Sequence, residues 1–351
     1  MSRLAKLLIA AIACCALLGA GSAGAATVVN GGFETGNFEG WQVLHTTEAG
    51  NWFVYSGDET PIAKAEREEE EKELEECEEE EDPPPCPLLE DHKFFPPPSG
   101  NFAAATDEEF VSSLVLYQDV ALEPYFSHQL AMTLYYKSDA PILVPNPDTL
   151  EVNFGPDENQ QLRVDVIRPD GPLFSLSPSD ILATVFANKS GDPTTMAPTG
   201  FTADLSAFAG QTVRIRIANA VHDDLFNAGV DDVAIASTPP SNVIKKGKLK
   251  LNKKKGTAKL KVTVPGPGVL STALKKKVKK TTVNATAAGT VTLPLKAIGK
   301  GLKTLNKNGK LKLKLPVTFT PTGGTAGTQK FGLTLKKSLK PKETAKKTGG
   351  A

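Results

Sequence analysis

Apolar and polar residues alternate at every second position along many short segments of this chain, and this pattern strongly limits the possible folds. Successive side chains of a β-strand point to opposite faces, whereas one face of a helix recurs every three to four residues. In QTVRIRIANAV, Val213 and Ile215 fall on one face and Arg214 falls on the other. Gly, Pro, Asn and Asp separate the segments, which is typical of antiparallel β-sandwiches. We therefore predict an all-β fold.

The charge of the chain changes sign near STPPSN, residues 237–242. Residues 1–243 hold 39 acids and 12 Lys or Arg, a net charge of −27, whereas residues 244–351 hold 28 lysines and the single acid Glu343, a net charge of +27. Such an asymmetry, with two prolines that stiffen the junction, indicates a domain boundary. We predict a first domain over 26–237, a linker over 238–244, a second domain over 245–338 and a tail over 339–351.

The first 25 residues have the pattern of a secretory signal. Arg3 and Lys6 precede an apolar run over 7–18, and small residues follow as far as Ala25. The run is shorter than a membrane-spanning helix, which needs about 20 apolar residues. We therefore predict a signal peptide over 1–25, an exported mature chain and no transmembrane segment.

Cys77 and Cys86 would be the two thiols of the mature chain. An oxidising compartment favours a disulfide between them, which would add about 2 to 3 kcal/mol of local constraint at most because the loop is short. Two free thiols in a mobile segment are the alternative.

Residues 58–98 form an acidic insertion with 17 acids against 4 Lys or Arg. A segment of this charge density usually repels itself and stays solvated. We predict a disordered surface loop. A short helix over 62–76, ended by the prolines at 83–85, is one alternative, and capture of multivalent cations is another.

Five short motifs occur in order along residues 27–237. They are NGGFE at 30–34, GW at 40–41, SGNFAAAT at 99–106, LYQDVAL at 116–122 and VDDVAIAS at 230–237. Together they resemble the galactose-binding-like jelly rolls, particularly the non-catalytic carbohydrate-binding modules of secreted bacterial proteins. The resemblance implies a jelly-roll β-sandwich that binds carbohydrate or an envelope polymer.

The same resemblance implies a structural calcium that ties the first strand to the last. It assigns to the ion the carbonyls of Gly32 and Phe102 and the carboxylates of Glu34 and Asp231, and such hard oxygen ligands suit calcium. Ser99 stands where some members of the family supply another acid. The alternative is that Glu34 and Asp231 only accept hydrogen bonds from turn amides.

Sugar binding also requires an exposed aromatic ring, because the C–H faces of a pyranose stack on it. The candidates are Trp52 and Tyr55 beside the insertion, and Phe110 and Tyr117, which flank the strand that carries the stacking aromatic in sugar-binding relatives. No tryptophan occupies that strand here.

No nucleophile elbow, zinc-protease helix, phosphate-binding loop or dinucleotide fingerprint occurs in the mature sequence. The four histidines have no ligand spacing. We predict a non-catalytic protein. A polysaccharide hydrolase is the alternative, since a glycosidase needs only two placed carboxylates.

Lysine alternates with Leu or Val in GKLKLN, AKLKVTV and GKLKLKLPVTF of the second domain, so these lysines form the solvent face of β-strands. The segment at 251–268 is echoed at 305–324, and each unit has a turn, a long strand and a second turn. This arrangement favours a small Ig-like sandwich. It resembles the lysine-rich Ig-like domains that end many secreted actinobacterial proteins.

The second domain has lysines but no arginine, and its aromatic residues are Phe319 and Phe331. Sequence-specific nucleic-acid binding usually employs Arg and stacking aromatics, so we predict no specific nucleic-acid partner. A diffuse cationic surface binds anionic polymers, and we predict retention on an anionic cell envelope. The alternatives are lysines that only prevent aggregation, and a structural surface protein that self-associates through its oppositely charged domains.

Overall fold

The computed structural model describes residues 26–47, 50–78, 86, 93–108, 110–145, 148–152 and 158–339. Over these residues the chain is almost entirely β, with four antiparallel sheets. The predicted all-β class is confirmed. The predicted signal peptide at 1–25 and residues 340–351 of the predicted tail lie outside the described residues.

Ten strands build the first sandwich, in two sheets of five. The strands are β1 Gln42–His45, β2 Asn51–Tyr55, β3 Ala103–Asp107, β4 Ser112–Ala121, β5 Ser127–Ser138, β6 Gln161–Ile167, β7 Ile181–Ala187, β8 Thr195–Asp204, β9 Thr212–Val221 and β10 Phe226–Thr238. One sheet has the order β1-β4-β9-β6-β7 and the other has the order β2-β3-β10-β5-β8. The chain passes repeatedly between the two sheets, as the predicted jelly-roll sandwich requires.

The core of the first sandwich lies between the two sheets. Strand β9 contributes Val213, Ile215 and Ile217, which are fully buried in this core. Strand β5 faces it with Leu130 and Leu134. The period-two alternation of the sequence therefore identifies the core residues of these strands.

The acidic insertion begins with an 18-residue helix, α1 Pro61–Glu78. The prediction of disorder is wrong here, and the alternative of a helix is confirmed with slightly longer bounds. The Ile62 amide donates to Asp107 Oδ2 at 2.7 Å, which ties the helix start to β3. Within the helix, Arg67 pairs with Glu71 at 2.8 Å, and such pairs four residues apart offset the repulsion between carboxylates.

Two further contacts are made within the insertion and by its last residues. Cys77 and Cys86 form a disulfide, with their Cα atoms 5.8 Å apart. Phe94 is buried, and its ring lies 5.4 Å from that of Tyr135. Residues 93–98, the return limb of the insertion, thus pack Phe94 on the outer face of the second sheet. Residues 79–85 and 87–92 lie outside the described residues.

Seven strands and one helix build the second sandwich. They are β11 Lys245–Asn252, β12 Thr257–Val264, β13 Gly268–Leu274, β14 Val278–Ala285, β15 Gly289–Lys296, α2 Gly299–Asn308, β16 Lys310–Pro321 and β17 Gly327–Lys336. The sheet orders are β11-β12-β15 and β14-β13-β16-β17. Seven strands in two antiparallel sheets form a second, smaller β-sandwich.

Strand β12 displays the predicted lysine alternation directly. Leu260 and Val262 are fully buried, whereas Lys259 and Lys261 are exposed. This second core is built from residues between Ile244 and Leu335, so it is separate from the first. No helix among the described residues is long and apolar enough to cross a membrane.

Candidate functional site

The solvent face of the β11-β12-β15 sheet carries a lysine surface without counter-charges. Residues 244–339 contain 24 lysines and no acid. In the part of the chain that the structure describes, none of these lysines forms an ion pair. Their charge must therefore be balanced by mobile ions or by an external anion.

Three adjoining depressions of about 540, 400 and 380 Å³ all include Lys259 in their walls. The depression of about 540 Å³ extends past β15 to Lys279 and Lys280 of β14, in the other sheet of this sandwich. Lys250 of β11 lies directly opposite Lys259 of β12 in the strand register. Two like charges are therefore neighbours, which disfavours this strand pair unless an anion lies nearby. We call the combined depression the lysine groove; its lysines are Lys248, Lys250, Lys253, Lys254, Lys259, Lys261, Lys279, Lys280 and Lys296.

Protection of a sheet edge accounts for only part of the lysine groove. Strand β11 is an edge strand, and lysines such as Lys248 and Lys250 prevent edge-to-edge pairing there. Strand β12, however, lies between β11 and β15, so Lys259 and Lys261 protect no edge. Edge protection therefore does not account for these two central lysines.

The residues predicted to hold calcium come together at one corner of the first sandwich. A Cβ atom placed on Gly32 would lie 3.7 Å from Asp231 Oδ1 and 3.8 Å from Glu34 Cγ, so residue 32 lies beside both acidic side chains. The amides of Asn101 and Phe102 donate to Glu34 Oε1 at 3.0 and 3.2 Å. We call this cluster the acidic corner.

Asp231 of the acidic corner is fully buried. Its carboxylate accepts hydrogen bonds from the amides of Ser99 at 3.1 Å and Asp232 at 2.7 Å. The Ser99 hydroxyl also donates to Asp232 Oδ1 at 2.6 Å, and the sequence alone did not indicate a role for Asp232. The two adjacent acids therefore both accept hydrogen bonds from Ser99. Among the described residues, no basic side chain forms an ion pair with Asp231 or Asp232.

The two predicted calcium carboxylates have opposite pKa shifts. Hydrogen bonds from the amides of Asn101 and Phe102 lower the pKa of Glu34. Burial raises the pKa of Asp231 to about 6, although the amides of Asp232 and Ser99 act against the shift. A buried acid whose charge is disfavoured in this way gains from a nearby cation.

The acidic corner fits calcium in the type of its oxygen donors. Among the described residues there is no group of three or more His, Cys, Asp or Glu side chains arranged to hold a metal. A cation here would thus depend on backbone carbonyls in addition to Glu34 and Asp231, as the resemblance implies for Gly32 and Phe102. The alternative is also visible in the structure, since both carboxylates accept turn amides.

Two of the four predicted sugar-stacking aromatics lie in cores. Trp52 is 2% exposed and points between the two sheets, and Tyr55 is 4% exposed. The Tyr55 hydroxyl donates to the Phe95 carbonyl at 2.7 Å and contacts the Tyr135 hydroxyl at 2.8 Å. The prediction of an exposed ring is wrong for both, because the return limb of the insertion covers Tyr55 and β2 turns Trp52 inward.

The other two aromatics are more accessible. Phe110 is 60% exposed, and Tyr117 is half-buried on the outer face of the first sheet. The guanidinium of Arg214 lies 4.6 Å from the centre of the Tyr117 ring and therefore occupies one of its faces. The Tyr117 hydroxyl donates to Gln42 Oε1 at 2.7 Å. Phe110 is thus the predicted aromatic with a largely exposed side chain.

The outer face of the first sheet is partly covered by a segment that sequence analysis did not identify. Arg216 donates to the carbonyls of Leu173 and Ser175, each at 2.8 Å, and to Asp165 Oδ2 at 2.5 Å. The side chains of Arg216 and Asp165 are both fully buried. The hydrogen bonds from Arg216 to these two carbonyls hold the 173–175 segment over β9, and the segment covers part of the sheet surface.

No protein-family model matches the chain, and no curated protein matches it. Among solved structures, the chain is similar to TmCBM61 in complex with beta-1,4-galactotriose, at 12% identity over 61% of this chain and 99% of that chain, with a TM-score of 0.34. It is similar to the K3 adhesin domain of Lys-gingipain from Porphyromonas gingivalis W83, at 13% identity over 60% and 98% of the two chains, with a TM-score of 0.31. It is also similar to the Stig cyclase Fisc from Fischerella sp. TAU, at 16% identity over 62% and 99%, with a TM-score of 0.31. At these identities and TM-scores, no activity transfers to this chain.

Proposed function

We propose that this protein is a secreted, non-catalytic binding protein that the lysine groove retains on anionic polymers, such as those of a cell envelope. The observation that supports this most strongly is the second sandwich with 24 lysines, no acid and no described ion pair. Binding a polyanion releases its condensed counterions, and this release drives association.

The spacing of the lysines favours a linear polymer over a small anion. Lys259 and Lys261 alternate with buried residues on β12, so their Cα atoms are about 7 Å apart along the strand. The adjoining depressions continue this row of charges across four strands, β11, β12, β15 and β14. Lysine provides a compact charge without the fork geometry of arginine, so the groove should distinguish polymers by charge density rather than by sequence.

Replacing Lys248, Lys250, Lys259 and Lys261 by Gln should weaken binding of the full chain to heparin or polyphosphate at low salt by at least about tenfold. Each lost contact should also reduce the slope of log K against log salt by about one. The matched control replaces four lysines outside the groove: Lys300, Lys303, Lys307 and Lys330. Titrations at several salt concentrations measure both slopes. Equal losses in the two variants would show that net charge, and not the lysine groove, carries the binding. No binding by the parent at low salt would show that the lysines serve only solubility.

Carbohydrate binding by the first sandwich is a second part of the proposal. The exposed ring of Phe110 is the feature that supports it, since Trp52 and Tyr55 are buried. An array that carries both neutral and anionic glycans tests this role. Binding to neutral glycans that Phe110→Ala removes is the expected result, and a parent that ignores every neutral glycan would exclude it.

A calcium ion at the acidic corner completes the proposal, and the buried charge of Asp231 is its support. Calcium should raise the melting temperature at pH 7, because a ligand that binds only the folded state stabilises it. The rise should be smaller at pH 5, where Asp231, with a pKa of about 6, is mostly protonated. Glu34→Gln should abolish most of the rise, whereas Glu39→Gln, an exposed acid nearby, should not. Identical melting curves in calcium and in chelator would exclude the site.

Without calcium, the raised pKa of Asp231 also determines how the stability of the folded chain depends on pH. The folded-state pKa of Asp231 is raised from its ordinary value of 3.8 to about 6, so the folded chain binds more protons in this window. Its contribution to stability therefore falls as the pH rises from about 4 to about 6. Glu34 acts in the opposite direction, because its lowered pKa contributes stability that is lost as the pH falls through that value.

Secretion is supported by the pattern of residues 1–25, and a mature N-terminus near Ala26 in secreted protein would test it. The hydrolase alternative predicts turnover of labelled envelope polysaccharide by the purified chain. Absence of turnover together with binding is the result expected of a non-catalytic protein.

A further inference from the structure

Helix α1 is ordered but is hardly covered by the sandwich that carries it. Of its 18 residues, only Ala63 is buried. Its start is tied to the sandwich by the hydrogen bond from Ile62 to Asp107, and its last turn is joined to Cys86 by the disulfide from Cys77. A polar helix kept in one conformation pays little entropy on binding, so it is pre-organised for a partner.

The exposed side of α1 is acidic. Glu68, Glu71, Glu75 and Glu78 are all exposed and are separated by three or four residues, which places them on one face of the helix. Glu68 and Glu71 contact Lys64 and Arg67 of the same helix, at 3.9 and 2.8 Å. Glu75 and Glu78 form no ion pair with any described residue. We call this face the acidic face of α1.

The acidic face and the lysine groove have opposite charges. From Glu68 to Glu78 the acidic face is about 15 Å long. Strand β12, with eight residues, is about 27 Å long, so the sheet that carries the groove is long enough to lie along the acidic face. Within the described residues, α1 forms no ion pair with a lysine of the groove of its own chain. Both surfaces are thus open to another molecule.

We infer that the lysine groove of one copy binds the acidic face of α1 from a second copy. This inference rests on the proposed function, because it assigns a partner to the same groove. The contact is heterologous, since each copy offers a different surface to its neighbour, and it leaves one groove and one helix free at the ends. Copies therefore join head to tail at low salt, and external polyanions compete with α1 for the groove.

Sedimentation velocity of the full-length protein over a range of concentrations and salt tests the inference. The parent should form dimers and larger species at about 10 mM salt and should be monomeric at about 1 M salt, where charges a few ångströms apart are screened. Replacing Glu71, Glu75 and Glu78 by Gln should weaken this association by about tenfold, because three surface ion pairs are lost. The matched control, Glu39→Gln with Glu151→Gln and Glu158→Gln, removes the same charge from exposed positions on the first sandwich and should associate like the parent.

Polyanion binding is measured on the same variants, so that this inference and the proposed function can fail separately. The variant of α1 should bind heparin at least as tightly as the parent, because its own competitor is weakened. A parent that binds heparin but stays monomeric at low salt would overturn the inference and leave the proposed function standing. Equal loss of association in the control and in the α1 variant would also overturn it, since net charge would then suffice.

Discussion

Replacing Asp165 by Ala is expected to destabilise the first sandwich by about 3 to 5 kcal/mol, the usual effect of removing one partner of a buried ion pair. Arg216 and Asp165 have no exposed side-chain surface, and their closest atoms are 2.5 Å apart. Burial already lowers the pKa of Arg216, which shows how strongly the site disfavours an isolated charge. Asp165 also accepts from Arg163 at 2.8 Å, so its loss leaves two guanidinium groups without their carboxylate partner.

Chemical denaturation of two companion variants distinguishes an orphaned charge from a simple cavity. The double replacement of Asp165 by Leu and Arg216 by Met should recover much of the lost stability, because no buried charge is then left unpaired. Asp170→Ala breaks the exposed pair with Arg168 at 3.2 Å and should cost at most about 1 kcal/mol. If Asp165→Ala costs no more than Asp170→Ala, the buried pair does not hold the 173–175 segment in place.

Arg216 illustrates where local sequence patterns stop being informative. The alternation in QTVRIRIANAV correctly places Arg214 and Arg216 on the outer face of β9. It does not reveal that Leu173 and Ser175, some forty residues away in the chain, cover one of these two arginines. A matching acid at an outward position of LRVDVI, Asp165, was the available signal. Cross-strand pairs of this kind become visible only when the strand register is known.

The lysine groove was more accessible to prediction, because strand alternation alone decides which side chains reach solvent. Lys259 and Lys261 face outward, as the sequence indicates. What the sequence could not supply is the sheet order, which places β12 in the centre of its sheet and so excludes edge protection as the role of Lys259 and Lys261. The helix in the acidic insertion depends likewise on a distant contact, between Ile62 and Asp107.

Trp52→Ala should destabilise the first sandwich by about 3 to 5 kcal/mol, as expected for truncating a large core aromatic. Trp52 points into the main core from β2, opposite Thr106 of β3. Its indole N–H is buried without a hydrogen-bond acceptor among the described residues, so Trp52→Phe removes an unsatisfied donor and should cost clearly less than Trp52→Ala.

Phe110→Ala is the contrasting variant, because its ring is 60% exposed and its loss should change stability by at most about 0.5 kcal/mol. Urea denaturation of the three variants, beside glycan binding under native conditions, separates the structural role from the ligand-binding role. A Trp52→Ala protein that keeps its stability but loses glycan binding would show that Trp52 contacts the ligand and does not serve the core. If Trp52→Ala loses stability instead, and Phe110→Ala alone loses glycan binding, then Trp52 stabilises the core of the sandwich and Phe110 binds the ligand at its surface.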